Sequence, residues 1–208
     1  MYTPRFPPAG PAGHGPNFER DMKMAGILDG NHLRGNALRW LVWGGAVGLL
    51  LLPLVAMQFT EEVNWTGSDF VVMGALLLAV CVSYEVAARM ARNNAYLLGA
   101  GLAAGGAFLT VWANLAVGII GSETNPVNDL FFGVVVIPVI GALLVQCRPR
   151  GMARVMIATA VAQVAVCLYA WLAGHGYVFV FTAVMCALWL ASACLFRESA
   201  RIQARHSS

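Results

Sequence analysis

The chain has 208 residues, 59% of them hydrophobic and only 11% charged, with a formal net charge of +3. Soluble domains carry roughly 25% charged residues, so this chain lacks the polar surface of a water-soluble fold, and its mean hydropathy of +0.70 points to lipid as solvent. Its arginines stand at segment ends without clustered aromatics, which argues against a nucleic-acid partner. The five cysteines, odd in number and without a CxxC pair, argue against a disulfide framework or a thiolate zinc site.

Residues 1–37 read as a cytoplasmic tail. Its first sixteen residues are rich in Pro and Gly, have little to bury and are expected to be disordered. Asn17 is placed to cap a short helix ended by Gly30. Phe18, Met22 and Ala25 fall on one face and Arg20 and Lys23 on the other, a pattern suited to the membrane surface. No apolar core follows a basic start in this region, so it does not read as a secretory signal.

Residues 38–197 contain six apolar segments, 41–59, 70–88, 95–121, 130–147, 155–174 and 176–196. Each is near the roughly 20 residues that cross a hydrocarbon core of about 30 Å. In lipid each must be helical to satisfy its own backbone, so the expected fold is an all-α membrane protein, a bundle of six transmembrane helices. The last two segments are separated only by Gly174-His175-Gly176. An unbroken helix across both would be about 60 Å long, twice the core thickness, so a tight hairpin is expected there. Residues 198–208 read as a basic cytoplasmic tail.

Orientation follows from charge. With six spans and both termini cytoplasmic, the inside segments hold all 13 Lys and Arg residues, including Arg89, Arg92, Arg148, Arg150, Arg154, Arg197, Arg201 and Arg205. The outside loops hold none, and carry Glu61, Glu62, Asp69, Glu123 and Asp129. The positive-inside rule asks only for an excess. Trp40, Trp43 and Trp65 fall at membrane interfaces, while Trp112, Trp171 and Trp189 lie deeper and are expected to pack between helices. An acid, an apolar run, an arginine and a second run holding a tryptophan recur at nearly equal spacing from Asp69 and from Asp129, a weak sign of duplicated hairpins.

Two pairs of glycines, Gly44 with Gly48 and Gly101 with Gly105, have GxxxG spacing and are candidates for close helix packing, within the chain or in a homo-oligomer. Pro138 removes a backbone donor within the fourth span and is expected to kink it. Glu85 is the one acid within an apolar run, with Arg89 four residues on, on the same helix face and placed to neutralise it. Asn114 and Gln163 are the other strongly polar groups at depth. Each is suited either to bond a neighbouring helix or, with Glu85, to line a polar path. The acidic outer loops could hold a divalent cation through oxygen ligands, but lack an EF-hand spacing and read more simply as hydrated loops.

No phosphate-binding loop, HExxH, GxSxG or paired membrane histidines occur, so neither an enzyme nor a cofactor is expected. The segment Glu62-Val63-Asn64-Trp65-Thr66 with Asp69, together with the run from Trp112 to Gly118, resembles a group of uncharacterised multipass inner-membrane proteins of bacteria. The likeness spans roughly residues 60–155. It implies a location in the bacterial inner (plasma) membrane and carries no activity or binding residue. The expected role is a structural or accessory membrane subunit that binds another membrane protein. The alternative is a small transporter or channel using Glu85, Asn114 and Gln163.

Overall fold

The computed structural model describes residues 38–122, 124–175 and 178–206. The expected tail at residues 1–37, with the helix capped by Asn17, lies outside them. Among the described residues there are no strands, and six helices are long and apolar enough to cross a membrane. They are α1 (Leu38–Ala56), α2 (Gly67–Met90), α3 (Asn94–Ala116), α4 (Asp129–Leu144), α5 (Pro149–Leu172) and α6 (Phe179–His206). A 3-10 turn, Pro126–Asn128, leads into α4. The all-helical, six-span expectation is met. The chain divides into two units at Leu49, within α1, and the helices α2 to α6 all belong to the second unit.

Local chemistry sets the helix ends. Thr66 and Asp69 form a capping box at the start of α2, with the Asp69 carboxylate accepting from the Thr66 amide at 2.7 Å and its hydroxyl at 2.8 Å. Asn93 caps α3 by accepting the Tyr96 N–H at 3.0 Å. Pro149 stands in the first turn of α5, where its missing donor costs nothing. α5 ends in a Schellman motif. Gly174 takes φ +75°, its N–H donates to Trp171, and the His175 N–H donates to the Ala170 carbonyl at 3.0 Å. The glycine-marked hairpin is thus made by Gly174. The same motif closes α4, but there Gln146 and Cys147 take the left-handed conformation, with φ 52° and 54°. No glycine marks that end.

Several boundaries shift from expectation. The third span stops at Ala116 instead of reaching 121, because Gly118, with φ +70°, turns the chain and Ile120 tucks into the protein. α6 continues through the expected tail to His206, with Arg197, Arg201 and Arg205 on its extension. At 28 residues it is roughly 42 Å long, more than the hydrocarbon core requires.

The helices α3, α4, α5 and α6 pack in a ring, α3 on α6, α6 on α5, α5 on α4 and α4 on α3, and α2 packs against α3. Lipid offers no hydrophobic drive between helices, so close approach and interhelical hydrogen bonds hold them together. The Ser192 hydroxyl donates to the Gly99 carbonyl at 2.7 Å, joining α6 to α3. The fully buried Trp189 ring lies on Gly106, where a Cβ would stand 3.2 Å from the indole. Between α4 and α5 the contact is reciprocal. A Cβ on Gly141 would sit 2.5 Å from Val155, and one on Gly151 would sit 2.5 Å from Val145.

Within the chain, these contacts place the close helix approaches at other glycines than expected. A Cβ at Gly101 or Gly105 would meet no atom within 4 Å, so the close approaches of α3 fall at Gly99 and Gly106, which face α6. Gly44 and Gly48 lie in the first unit, within which nothing approaches either. The α4–α5 interlock has no counterpart between α2 and α3, so the two hairpins share charge pattern but not packing. Pro138 is buried on the inward face of α4. Of the three deeper tryptophans only Trp189 is enclosed. Trp112 and Trp171 lie open on the helix surface, as lipid permits for apolar rings.

One end of the ring is basic. Arg89, Arg92, Arg148, Arg150, Arg154, Arg197, Arg201 and Arg205 cluster where the α2–α3 and α4–α5 turns meet the end of α6. Tyr96 ties this end together. Its hydroxyl donates to the Cys147 carbonyl at 2.8 Å and its ring packs edge-on against Phe196 at 5.2 Å. Asn93 donates to the Ser199 carbonyl at 3.3 Å, holding the α6 extension. Replacing Tyr96 by Phe keeps the aromatic contact and removes the hydrogen bond. We expect a loss of about 1 kcal/mol in reversible unfolding in detergent micelles, while an unchanged stability would show that the Cys147 turn stands without it.

Candidate functional site

The polar groups at depth are distributed over separate contacts. Asn114, in the last turn of α3, is buried, and its amide donates to the Asn128 carbonyl at 2.8 Å. Asn128 is itself buried. Its side-chain oxygen accepts the Ile120 N–H at 2.8 Å, and its amide donates to the Ser122 carbonyl at 2.7 Å and more weakly to that of Ile120 at 3.4 Å. Around this pair Ile120 and Val127 turn inward and join Phe131 of α4 and Ala170 of α5 in an apolar cluster, while Val117, Gly121, Ser122 and Thr124 stay exposed. The loop is a plug in the acidic end of the ring. Asn128 is silent in the sequence because it stands beside Asp129 in a polar loop, where an asparagine signals only a turn.

Gln163 faces the core of α5 and is fully enclosed, with both amide atoms lacking a hydrogen-bond partner. The Cys186 thiol donates to the Ala160 carbonyl at 3.6 Å. One turn further along this antiparallel pair, Thr182 comes level with Gln163, and its buried hydroxyl also lacks a partner. Nearby, Thr110 bonds back to the Gly106 carbonyl at 2.8 Å and contacts the Met185 sulfur at 3.4 Å. Gln163 is therefore a polar inclusion in a packed interface of α5.

Glu85 is half-buried on α2, near the basic end, and Arg89 is exposed. Because α2 packs on α3 while Gln163 sits on α5, and Asn114 is committed to the loop plug, the structure does not bring Glu85, Asn114 and Gln163 into one cavity. Among the described residues no group of three or more His, Cys, Asp or Glu side chains is placed to hold a metal ion. One carboxylate oxygen of Asp69 accepts both bonds of the capping box, and Glu61 and Glu62 are exposed.

A concave site does occur elsewhere. A groove of about 360 Å³ runs between α2 and α3 at the acidic end, lined by Trp65, Asp69, Met73, Leu76, Trp112 and Leu115. Trp65 precedes α2 and stacks edge-on with Phe70 at 5.3 Å. Trp112 is one turn below the end of α3 and packs on Phe108 at 5.8 Å. The groove thus has a carboxylate and an indole at its mouth, a second indole on its wall and apolar side chains toward its floor. None of the polar residues singled out at depth lines it. No protein-family model matches the chain, and no curated protein or solved structure shows significant similarity to it.

Proposed function

We propose that this chain is a non-enzymatic accessory subunit of the bacterial plasma membrane, with both termini in the cytoplasm, that binds another membrane protein. The observation that carries the reading is the bond from the Asn114 amide to the Asn128 carbonyl, which uses a buried polar group at the end of α3 to close a loop instead of lining a path through the helices. The arrangement of charge supports the orientation, because the basic end gathers eight arginines and the described loops of the opposite end carry Glu61 and Glu62 and no Lys or Arg. The location in a bacterial inner membrane is proposed from the resemblance read in the Glu62–Asp69 and Trp112–Gly118 stretches alone.

Mild detergent extraction from native membranes, followed by mass spectrometry of what co-purifies, tests the role. A stoichiometric membrane partner is the expected result, and a monodisperse preparation of this chain alone would overturn it. The transporter alternative makes the opposite demand. It requires that Glu85→Gln abolish a flux into proteoliposomes, whereas the accessory role predicts no flux in the wild type and none in the variant. Reporter fusions at the two termini test the orientation separately.

A further inference from the structure

We propose that the groove between α2 and α3 binds one phospholipid with an ammonium headgroup, the ammonium lying between Asp69 and the indoles of Trp65 and Trp112 and an acyl chain lying along Met73 and Leu76, with Leu115 on the rim at the headgroup level. A volume of about 360 Å³ falls in the usual range for small-molecule sites. From Asp69 to Leu76 the groove follows α2 for roughly 10 Å at 1.5 Å per residue. It therefore passes from the headgroup level into the hydrocarbon. Val72 and Leu115 on its rim are half-exposed, so a lipid enters sideways from the bilayer.

Chemistry selects the headgroup. Both capping contacts of Asp69 use the same carboxylate oxygen, which leaves the other to a ligand. Indole faces attract ammonium groups through the ring quadrupole. The described loops at this end add Glu61 and Glu62 and carry no Lys or Arg, so an anionic headgroup is repelled and a cationic group is drawn in. The site does not depend on which compartment the acidic end faces, nor on the accessory role, so it stands or falls by itself.

The test uses the full chain reconstituted with equimolar phosphatidylethanolamine and phosphatidylglycerol and released for native mass spectrometry. The expected wild-type result is one retained phosphatidylethanolamine, favoured about tenfold over phosphatidylglycerol, the discrimination expected of a single charge-selective contact. Asp69→Asn keeps a capping oxygen for Thr66 and should bring the two lipids to equal retention. Trp112→Leu leaves the cap untouched and should lower retention of phosphatidylethanolamine, with thermal melting confirming that both variants are folded. Equal retention of the two lipids by the wild type would overturn the proposal. So would an unchanged preference in both folded variants, which would place the lipid elsewhere.

Discussion

Replacing Asn128 by alanine is expected to destabilise the protein by about 3 kcal/mol, more than any other single polar deletion among the described residues. The side chain satisfies the buried Ile120 N–H and the Ser122 carbonyl, and removing it strands both. An unsatisfied buried group costs about 1–3 kcal/mol; the Ile120 N–H is buried and carries most of the loss, while the carbonyl of the exposed Ser122 adds less. Asn114→Leu should cost less, about 1 kcal/mol, because it removes a single interhelical bond and leaves the Asn128 side chain in place. Reversible unfolding in detergent micelles checks the order. The loop from Val117 to Asn128 should also become cleavable by protease in Asn128→Ala at temperatures where the wild type resists. A larger loss in Asn114→Leu than in Asn128→Ala would show that the plug is held from α3 and not from its own asparagine.

The second large effect lies at the α4–α5 interlock. Gly141→Ala places a methyl 2.5 Å from one Val155 methyl, 2.8 Å from the other and 3.2 Å from its Cβ. Rotation about χ1 cannot clear it, because Val is stiff and the Cβ itself is close. The helices must separate, and overpacking of this kind costs about 1–3 kcal/mol. The double variant Gly141→Ala with Val155→Ala should recover most of the loss, since the second change removes the methyls that collide. Additive losses in the cycle would mean that the two side chains do not meet. The mirror pair, Gly151 with Val145, should behave in the same way at the turn.

These two sites lie beyond what a linear sequence can state. Helix number, approximate span limits and the segregation of arginine from acid could all be read along the chain, because a bilayer imposes requirements on each segment separately. Every span must satisfy its own backbone, and every charge must find water. Those are one-body conditions, and a string of residues states them. Gly174 was legible for the same reason, since a left-handed helix cap favours glycine whatever surrounds it.

Which small residue receives a neighbour is a two-body matter. Gly101 with Gly105 and Gly99 with Gly106 lie on one helix, and only the rotation of α3 about its axis decides that the second pair meets α6 and the first meets none. Gln146 and Cys147 end α4 in a conformation their identities disfavour, because the hydroxyl of Tyr96, 51 residues away, reaches the Cys147 carbonyl and Pro149 begins the next helix. Asn114 looked like a membrane polar group and proved to be half of a loop closure, because Gly118 turns the chain back over the helix end. Burial and partner choice depend on three-dimensional proximity between distant segments, so tertiary packing alone separated the polar residues at depth and set two tryptophans and a carboxylate around one groove.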